Sequence, residues 1–305
     1  MNNLAIIIPA YKAAFLDKAL ASIAGQTCKD FTLYIGDDAS PHDLYSIVKK
    51  YENKINIQYH RFEENAGGKD LVAQWERCIA LSQSEEWLWL FSDDDEMESE
   101  CVEAFYKEIS NGACYDLYHF NVTVIDENSR VLQMAPEFPA VLPAESFLLK
   151  KLSGKISSFV CEYIFNKEAY CNAGKFQNFD MAWNSDDATW VKLGVRKGIK
   201  TIDKAKVNWR RSQVNITSNT SDRAIVKRKL QSNIEYSKWI CTLFGKKHIL
   251  QLMRWQITGI IVYKNVLLPK EQKWHIKDFC KQLNKPYLHV LGIVYYYYKK
   301  RRLYP

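Results

Sequence analysis

Leu4-Ala-Ile-Ile-Ile8, closed by Pro9, is a short unbroken apolar run. A run with no polar alternation predicts a strand buried on both faces, as in a parallel sheet. Working outward, residues 14–26 carry Leu16, Leu20, Ile23 and Ala24 at helical spacing, and Phe31-Thr-Leu-Tyr-Ile35 is a second strand. Ser40-Pro41 reads as an N-cap with proline at the first helical position, ahead of a helix through Leu44, Ile47, Val48 and Tyr51. Ile55-Asn-Ile-Gln-Tyr59 alternates as a third strand. The loop Asn65-Ala-Gly-Gly68 leads into a helix over 71–81, and Trp87-Leu-Trp-Leu-Phe91 is a fourth strand. Such alternation predicts an α/β protein with a mostly parallel, Rossmann-like sheet sandwiched by helices. Beyond residue 100 the pattern predicts a helix over 99–110, a strand over Leu117–Ile125, a turn at Ser129-Arg130 and a proline-rich crossing over 135–143. Residues 222–250 and 271–285 read as helical and basic.

The chain has 305 residues, 47% of them hydrophobic and 25% charged, which excludes disorder over most of its length. Only 12 Gly and 8 Pro exclude a collagen-like or linker-rich architecture. The longest apolar runs, 257–268 and 287–298, are broken by Lys264 and His289. Both fall short of the roughly 18 residues of a bilayer span. Met-Asn-Asn at the start offers neither a basic segment nor a cleavage site, so no secretory signal is expected. The eight cysteines then read as reduced thiols of a cytosolic protein, and no C-x-x-C or nearby His suggests zinc.

Charge is unevenly divided. Residues 1–195 hold 17 Lys and Arg against 30 Asp and Glu, a net −13. Residues 196–305 hold 25 against 5, a net +20. Such a basic third suits an anionic partner, membrane lipid or nucleic acid, or else packs on the acidic body.

In a parallel α/β sheet, ligands bind beyond the carboxyl ends of the strands. Here those ends read Pro9-Ala-Tyr11, Gly36-Asp-Asp-Ala-Ser40 and Ser92-Asp-Asp-Asp-Glu96. Crowded carboxylates raise one another's pKa unless a cation sits among them. Mg²⁺ or Mn²⁺ would resolve that cost, using one or two carboxylates plus substrate phosphates. A single acidic cluster is more often a solvated turn; two on neighbouring strand ends favour the cation. Gly67-Gly-Lys69 lacks the first Gly and the Ser/Thr of a Walker A motif, which excludes a nucleoside triphosphatase.

Ile6-Ile-Ile-Pro-Ala-Tyr11, Gly36-Asp-Asp-Ala-Ser40, Glu64-Asn-Ala-Gly67 and Phe91-Ser-Asp-Asp-Asp95 occur in this order. Together they resemble the opening strand, Asp-Asp-Gly-Ser turn, Asn-x-Gly loop and D-x-D motif of family-2 glycosyltransferases. The resemblance covers roughly residues 3–215 and implies the A-type glycosyltransferase fold, a nucleotide-sugar-binding α/β domain over 1–218. A basic, mainly helical extension over 219–305 would follow. By that resemblance Pro9, Ala10 and Tyr11 line the nucleotide pocket, and Asp38 accepts from a nucleobase N–H. Asp93 holds ribose or sugar hydroxyls, and Asp95 binds the metal. Lys69 either approaches the nucleotide or is a solvated lysine at a helix start.

Gly174-Lys-Phe176 followed by Asn184-Ser-Asp-Asp-Ala-Thr-Trp190 resembles the family's Gly-x-Phe…Glu-Asp segment, with Asp186 where Glu is usual and Asp187 as catalytic base. Asp186 reads alternatively as a helix N-cap. Trp183 and Trp190 flank the base, as an acceptor platform or as core. Val207-Asn-Trp-Arg-Arg-Ser212…Asn215-Ile-Thr217 resembles the late strand and loop over the donor diphosphate, with Ser212 where many members carry His. Arg210 or Arg211 would pair with that diphosphate; strand alternation lets only one point inward.

The expectation is therefore an inverting, metal-dependent glycosyltransferase. It would move a sugar from a UDP- or GDP-sugar to a glycan or lipid-linked saccharide acceptor in cell-surface polysaccharide synthesis. It would be cytoplasmic, peripheral on the inner face of an anionic membrane, with Tyr295-Tyr-Tyr-Tyr298 and Lys299-Lys-Arg-Arg302 at that surface. A metal-dependent nucleotidyltransferase using the same aspartates is the rival enzyme, and a non-catalytic binder of anionic ligands is the rival outside catalysis. Nucleic acid ranks last as a partner, since no known nucleic-acid module is present.

Overall fold

The protein, a computed structural model, is described over residues 3–112, 114–212, 216–287 and 290–292. It divides into two compact units, Met1–Asn178 with Ser185–Ser212, and Phe179–Asn184 with Gln213–Pro305.

The first unit is built on one sheet. β1 (Leu4–Ala10), β2 (Phe31–Asp37), β3 (Ile57–Arg61) and β4 (Trp87–Leu90) run parallel in the order β3-β2-β1-β4. Leu4 through Ile8 are fully buried, as an apolar run without alternation requires. Leu4, Ile6 and Ile8 share a core with Leu16, Leu20 and Ile23 of α1 (Leu16–Ala24) and with Val102 and Phe105 of α4 (Cys101–Ser110). Asp70 caps α3 (Leu71–Ile79), accepting from the N–H of Ala73 at 2.9 Å.

Two local expectations move. No helix starts at Pro41: α2 is the four residues Tyr45–Val48. The Ser40 hydroxyl is used elsewhere, donating to the Tyr11 carbonyl at 2.7 Å and so tying the β2 end to the β1 end. The third strand begins at Ile57, because Ile55 turns into the core instead of pairing.

Beyond β4 come β5 (Glu96–Met97), β6 (Leu117–Ile125), β7 (Val131–Met134), β8 (Val141–Leu142) and α5 (Ala144–Leu152). A short turn over Val160–Glu162 then enters β9 (Tyr163–Asn166), followed by α6 (Lys167–Asn172), α7 (Ser185–Gly194) and β10 (Ile199–Arg210). β9 lies antiparallel between β4 and β6. β10 is parallel to β6 and antiparallel to β5. The α/β class holds, with a parallel first half and a mixed second half. The cause is β9, which re-enters from a tight turn at the opposite end of the sheet.

The second unit is helical: α8 (Arg223–Phe244), α9 (Ile249–Val262) and α10 (Pro269–Gln282). The helix expected over 222–250 is broken at Gly245, whose φ of 63° no helix accommodates. Val226, Leu230, Ile260 and Leu267 form its core. Arg228 grips Asp180 with two bonds of 2.7 and 2.9 Å, and Trp183 donates its indole N–H to Asn233 at 3.0 Å. Among the described residues, no helix is long and apolar enough to cross a membrane. All eight cysteines are free thiols. Asn215 and the Tyr295–Arg302 stretch lie outside the described residues.

Candidate active site

The strand order reverses direction at β1, which has β2 on one side and β4 on the other. A crevice therefore opens beyond the carboxyl ends of β1 and β4. Asp93 spans it. One of its carboxylate oxygens accepts from the backbone N–H of Tyr11 at 2.9 Å and of Lys12 at 2.8 Å. Pro9 and Ala10 are the last residues of β1, and Tyr11 beyond them is 41% exposed.

Asp93, Asp94 and Asp95 are all nearly buried. Burial, then repulsion from Asp94, lifts the carboxyl of Asp93 to about 6 and that of Asp95 to about 7. A cation already stands against this group. The Lys12 ammonium is 2.9 Å from Asp94 and 3.9 Å from Asp93. Burial lowers its pKa, but the neighbouring aspartates more than offset that and hold it above its ordinary value. Sequence reasoning passed over Lys12, although it directly follows the Pro9-Ala-Tyr11 strand end. Hard oxygen donors with raised pKa values fit a divalent ion. Among the described residues, no three acidic, His or Cys side chains group as a metal cage. Such an ion would therefore take one or two of these carboxylates and complete its shell from donor phosphates.

Of the two arginines, strand alternation buries Arg210 and exposes Arg211. Arg210 does not present a free guanidinium to a diphosphate. It donates to the carbonyls of Asp94 at 2.7 Å and Asp126 at 2.6 Å, pairs with Glu96, and lies over the Phe15 ring. Its backbone N–H donates to Asp95 at 2.7 Å. Arg210 thus ties the aspartate loop to the end of β10, and of the two arginines expected near a diphosphate it is Arg211 that stays exposed. Ser212 is buried.

Asp38 also holds backbone. Its two oxygens accept from the N–H groups of Ala66 at 2.7 Å and Gly67 at 2.9 Å, and it pairs with Arg77. A carboxylate has about four acceptor positions, so roughly one remains for a nucleobase donor. Lys69 is exposed at the end of this loop.

The second acidic group opens α7. Asp187, expected as the base, is buried, with one oxygen 3.0 Å from the Lys151 ammonium of α5. Its neighbour Asp186 is only half-buried, and burial followed by repulsion from Asp187 lifts its carboxyl to about 7. Of the two, Asp186 is the more exposed and carries the raised carboxyl. Trp190 is core, stacked on Tyr163 at 4.5 Å, which settles its platform-or-core alternative.

The Val160–Glu162 turn lies beside the aspartate loop, and the Glu162 carboxyl feels the charges of Asp186 and Asp187. The Cys161 thiol hydrogen-bonds Asp95, and its carbonyl accepts from the Trp89 indole at 2.7 Å. Glu162 is fully buried beside His119, 3.4 Å away. Burial pushes the Glu162 pKa well up and the His119 pKa down to about 3. Neither residue carried a sequence signal; burial alone makes them notable.

Sheet order and acidic loop place the chain among α/β proteins that bind ligands at the carboxyl edge of the sheet. Residues 5–170 match the model of Glycosyl transferase family 2, and the chain belongs to that family. The poly(ribitol-phosphate) beta-N-acetylglucosaminyltransferase TarS of Staphylococcus aureus is 32% identical over 99 residues, 32% of this chain and 17% of that protein. The GalNAc(5)-diNAcBac-PP-undecaprenol beta-1,3-glucosyltransferase of Campylobacter jejuni is 25% identical over 203 residues, 63% of this chain and 60% of that protein. This chain thus spans less than two thirds of either relative. The crystal structure of S. aureus TarS 1–349 with UDP matches with a TM-score of 0.61, at 16% identity, over 92% of this chain and 81% of that one. The corresponding complex with UDP-GlcNAc gives 0.57. These likenesses show a shared fold.

Proposed function

We propose that this chain is an inverting glycosyltransferase that moves a sugar from a UDP-sugar to a hydroxyl of a glycan or lipid-linked saccharide in cell-surface polysaccharide synthesis. The observation that carries the reading is the Asp93–Asp95 loop at the carboxyl end of the sheet, tied to the end of β1 through the Tyr11 and Lys12 N–H groups, with a second acidic pair, Asp186 and Asp187, opening α7. The UDP and UDP-GlcNAc in the matched structures favour uracil over guanine as the donor base. The undecaprenol-linked substrate in the name of the Campylobacter relative favours a lipid-linked acceptor and a peripheral location at an anionic membrane.

In this reading Tyr11 and Asp38 border the nucleoside, and Asp93 faces the ribose or sugar hydroxyls. Asp186 accepts the acceptor's hydroxyl proton as that oxygen bonds to the anomeric carbon. The bond from that carbon to the diphosphate oxygen breaks on the opposite face, and UDP leaves. Lys151 and Asp187 hold Asp186 near its working pKa. Arg210 holds Asp95 in place. A divalent ion held by Asp95 and the donor diphosphate would neutralise charge on the leaving group, an effect of about 3–4 kcal/mol for one well-placed group.

Screening UDP- and GDP-sugars for release of free nucleoside diphosphate, with and without Mn²⁺, tests the reading. Release of UDP with inversion at the transferred sugar is expected. Pyrophosphate release would favour the nucleotidyltransferase instead.

A further inference from the structure

α10 divides sharply into two faces. Glu271, His275 and Phe279, four residues apart, are buried together with Cys280. The opposite face carries Lys270, Trp274, Lys277 and Lys281 in one stripe, with Lys273 at its margin, all exposed. Trp274 is 52% exposed, the largest apolar side chain left so open among the described residues. Stable folding does not call for an indole in water at the centre of a lysine stripe.

Charge on this helix is not balanced locally. Its two acids are Glu271 and Asp278. Glu271 is taken by Arg223 and Lys227, and Asp278 accepts from Gln282. None of the four exposed lysines pairs with a carboxylate among the described residues. The end of α9 and the connection after it leave Val262 63% and Leu268 39% exposed. Those aliphatic groups cannot stack on bases or sugar rings, but they suit the boundary between headgroups and acyl chains.

We propose that the exposed face of α10, with Trp274 at its centre and Lys270, Lys273, Lys277 and Lys281 around it, docks on an anionic lipid surface. The indole enters the headgroup layer, where tryptophan is favoured, and the ammonium groups meet lipid phosphates. The proposal deepens the peripheral location given above by assigning it to one helix. The helix lies on the surface and does not span it.

Co-sedimentation of the full chain with vesicles of phosphatidylcholine, alone or with a quarter phosphatidylglycerol, is the test. Binding to the anionic vesicles at 50 mM salt, falling steeply by 500 mM, is expected. Trp274→Ala should weaken it about fivefold, and Lys270→Glu with Lys277→Glu about tenfold or more. Affinity for UDP should stay unchanged in both variants, which also reports that they fold. Vesicle binding by wild type that both variants retain would overturn the assignment to α10. So would absence of binding at low salt by folded protein. Equal binding of inorganic polyphosphate by wild type and Trp274→Ala, without vesicle binding, would make the stripe a polyanion site and overturn the lipid proposal. Failure to bind or turn over any nucleotide-sugar, with vesicle binding intact, would strike only the enzymatic reading.

Discussion

Asp186 and Asp187 are adjacent in sequence yet differ chemically, because one α-helical step carries the second carboxylate into a lysine's reach. Asp186→Asn should leave UDP affinity nearly unchanged and lower turnover about 10²-fold or more. The free enzyme's kcat/KM should rise with pH through about 7, where Asp186 loses its proton, and then level off. Lys151 lowers that midpoint and Asp187 raises it. Lys151→Met should therefore move it to higher pH and Asp187→Asn to lower pH. Shifts in the same direction would refute the assignment. Lys12 supplies a second residue-scale prediction. It occupies charge space that a divalent ion would use, so Lys12→Met should bind Mn²⁺ more tightly by about tenfold, one pK unit of interaction. Calorimetric titration with Mn²⁺ alone reads this, and weaker binding by the variant would make Lys12 a partner of the ion's site, not its competitor.

At the scale of elements, the turns after β2 and β3 carry much of the geometry. Ala39 stands in the left-handed region with φ of 51°, the place of Gly in the Asp-Asp-Gly-Ser turn that this segment resembles. A non-glycine residue there costs about 1–2 kcal/mol, and the added freedom of an unfolded Gly returns about 0.4–1. Ala39→Gly should thus stabilise the protein by about 0.5–1 kcal/mol in urea titration. Gly67 is different: a Cβ there would lie 2.7 Å from an Asp38 carboxylate oxygen. Gly67→Ala should push Asp38 off the Asn65–Gly68 loop and weaken UDP binding more than it lowers thermal stability. The strands β1, β2 and β4 and their acidic ends were legible in the sequence because unbroken apolar runs and clustered carboxylates are local signals. The Ser40-Pro41 cap misled because the Ser40 hydroxyl, which accepts locally from the His42 N–H, also ties the turn to the Tyr11 carbonyl, and the helix begins only at Tyr45. β9 was illegible, since Tyr-Ile-Phe-Asn is too short to show a period and its place depends on partners far away in sequence. Lys151, Glu162 and His119 became visible only once burial was known, and Arg210 only half so: alternation turned it inward, but not toward its Glu96 partner.

At the scale of the whole molecule, the helical unit has its own response to acid. Glu271 holds α10 to α8 through Arg223, and its bonds with Arg223 and the Leu268 N–H draw its carboxyl from 4.5 down to about 2. A depressed folded pKa stabilises fully above the unfolded value and is lost as pH falls through the folded one. The difference in Tm between wild type and Glu271→Gln should therefore be largest near neutral pH and close as pH drops from about 4.5 toward 2. A gap that widens with acid would assign the bond another role. The placement of β9 also bears on how the chain is made. Trp87-Leu-Trp-Leu90 is a buried, half-aromatic strand, and its second neighbour is not synthesised until residues 163–166. A ribosome-bound chain that ends before that point exposes one edge of β4 and leaves β6 without β9 on one edge and β10 on the other, apolar strand edges able to pair with another chain. The interval between those two stretches of synthesis is when the protein most needs a chaperone, and slowing translation there should increase its loss to aggregates.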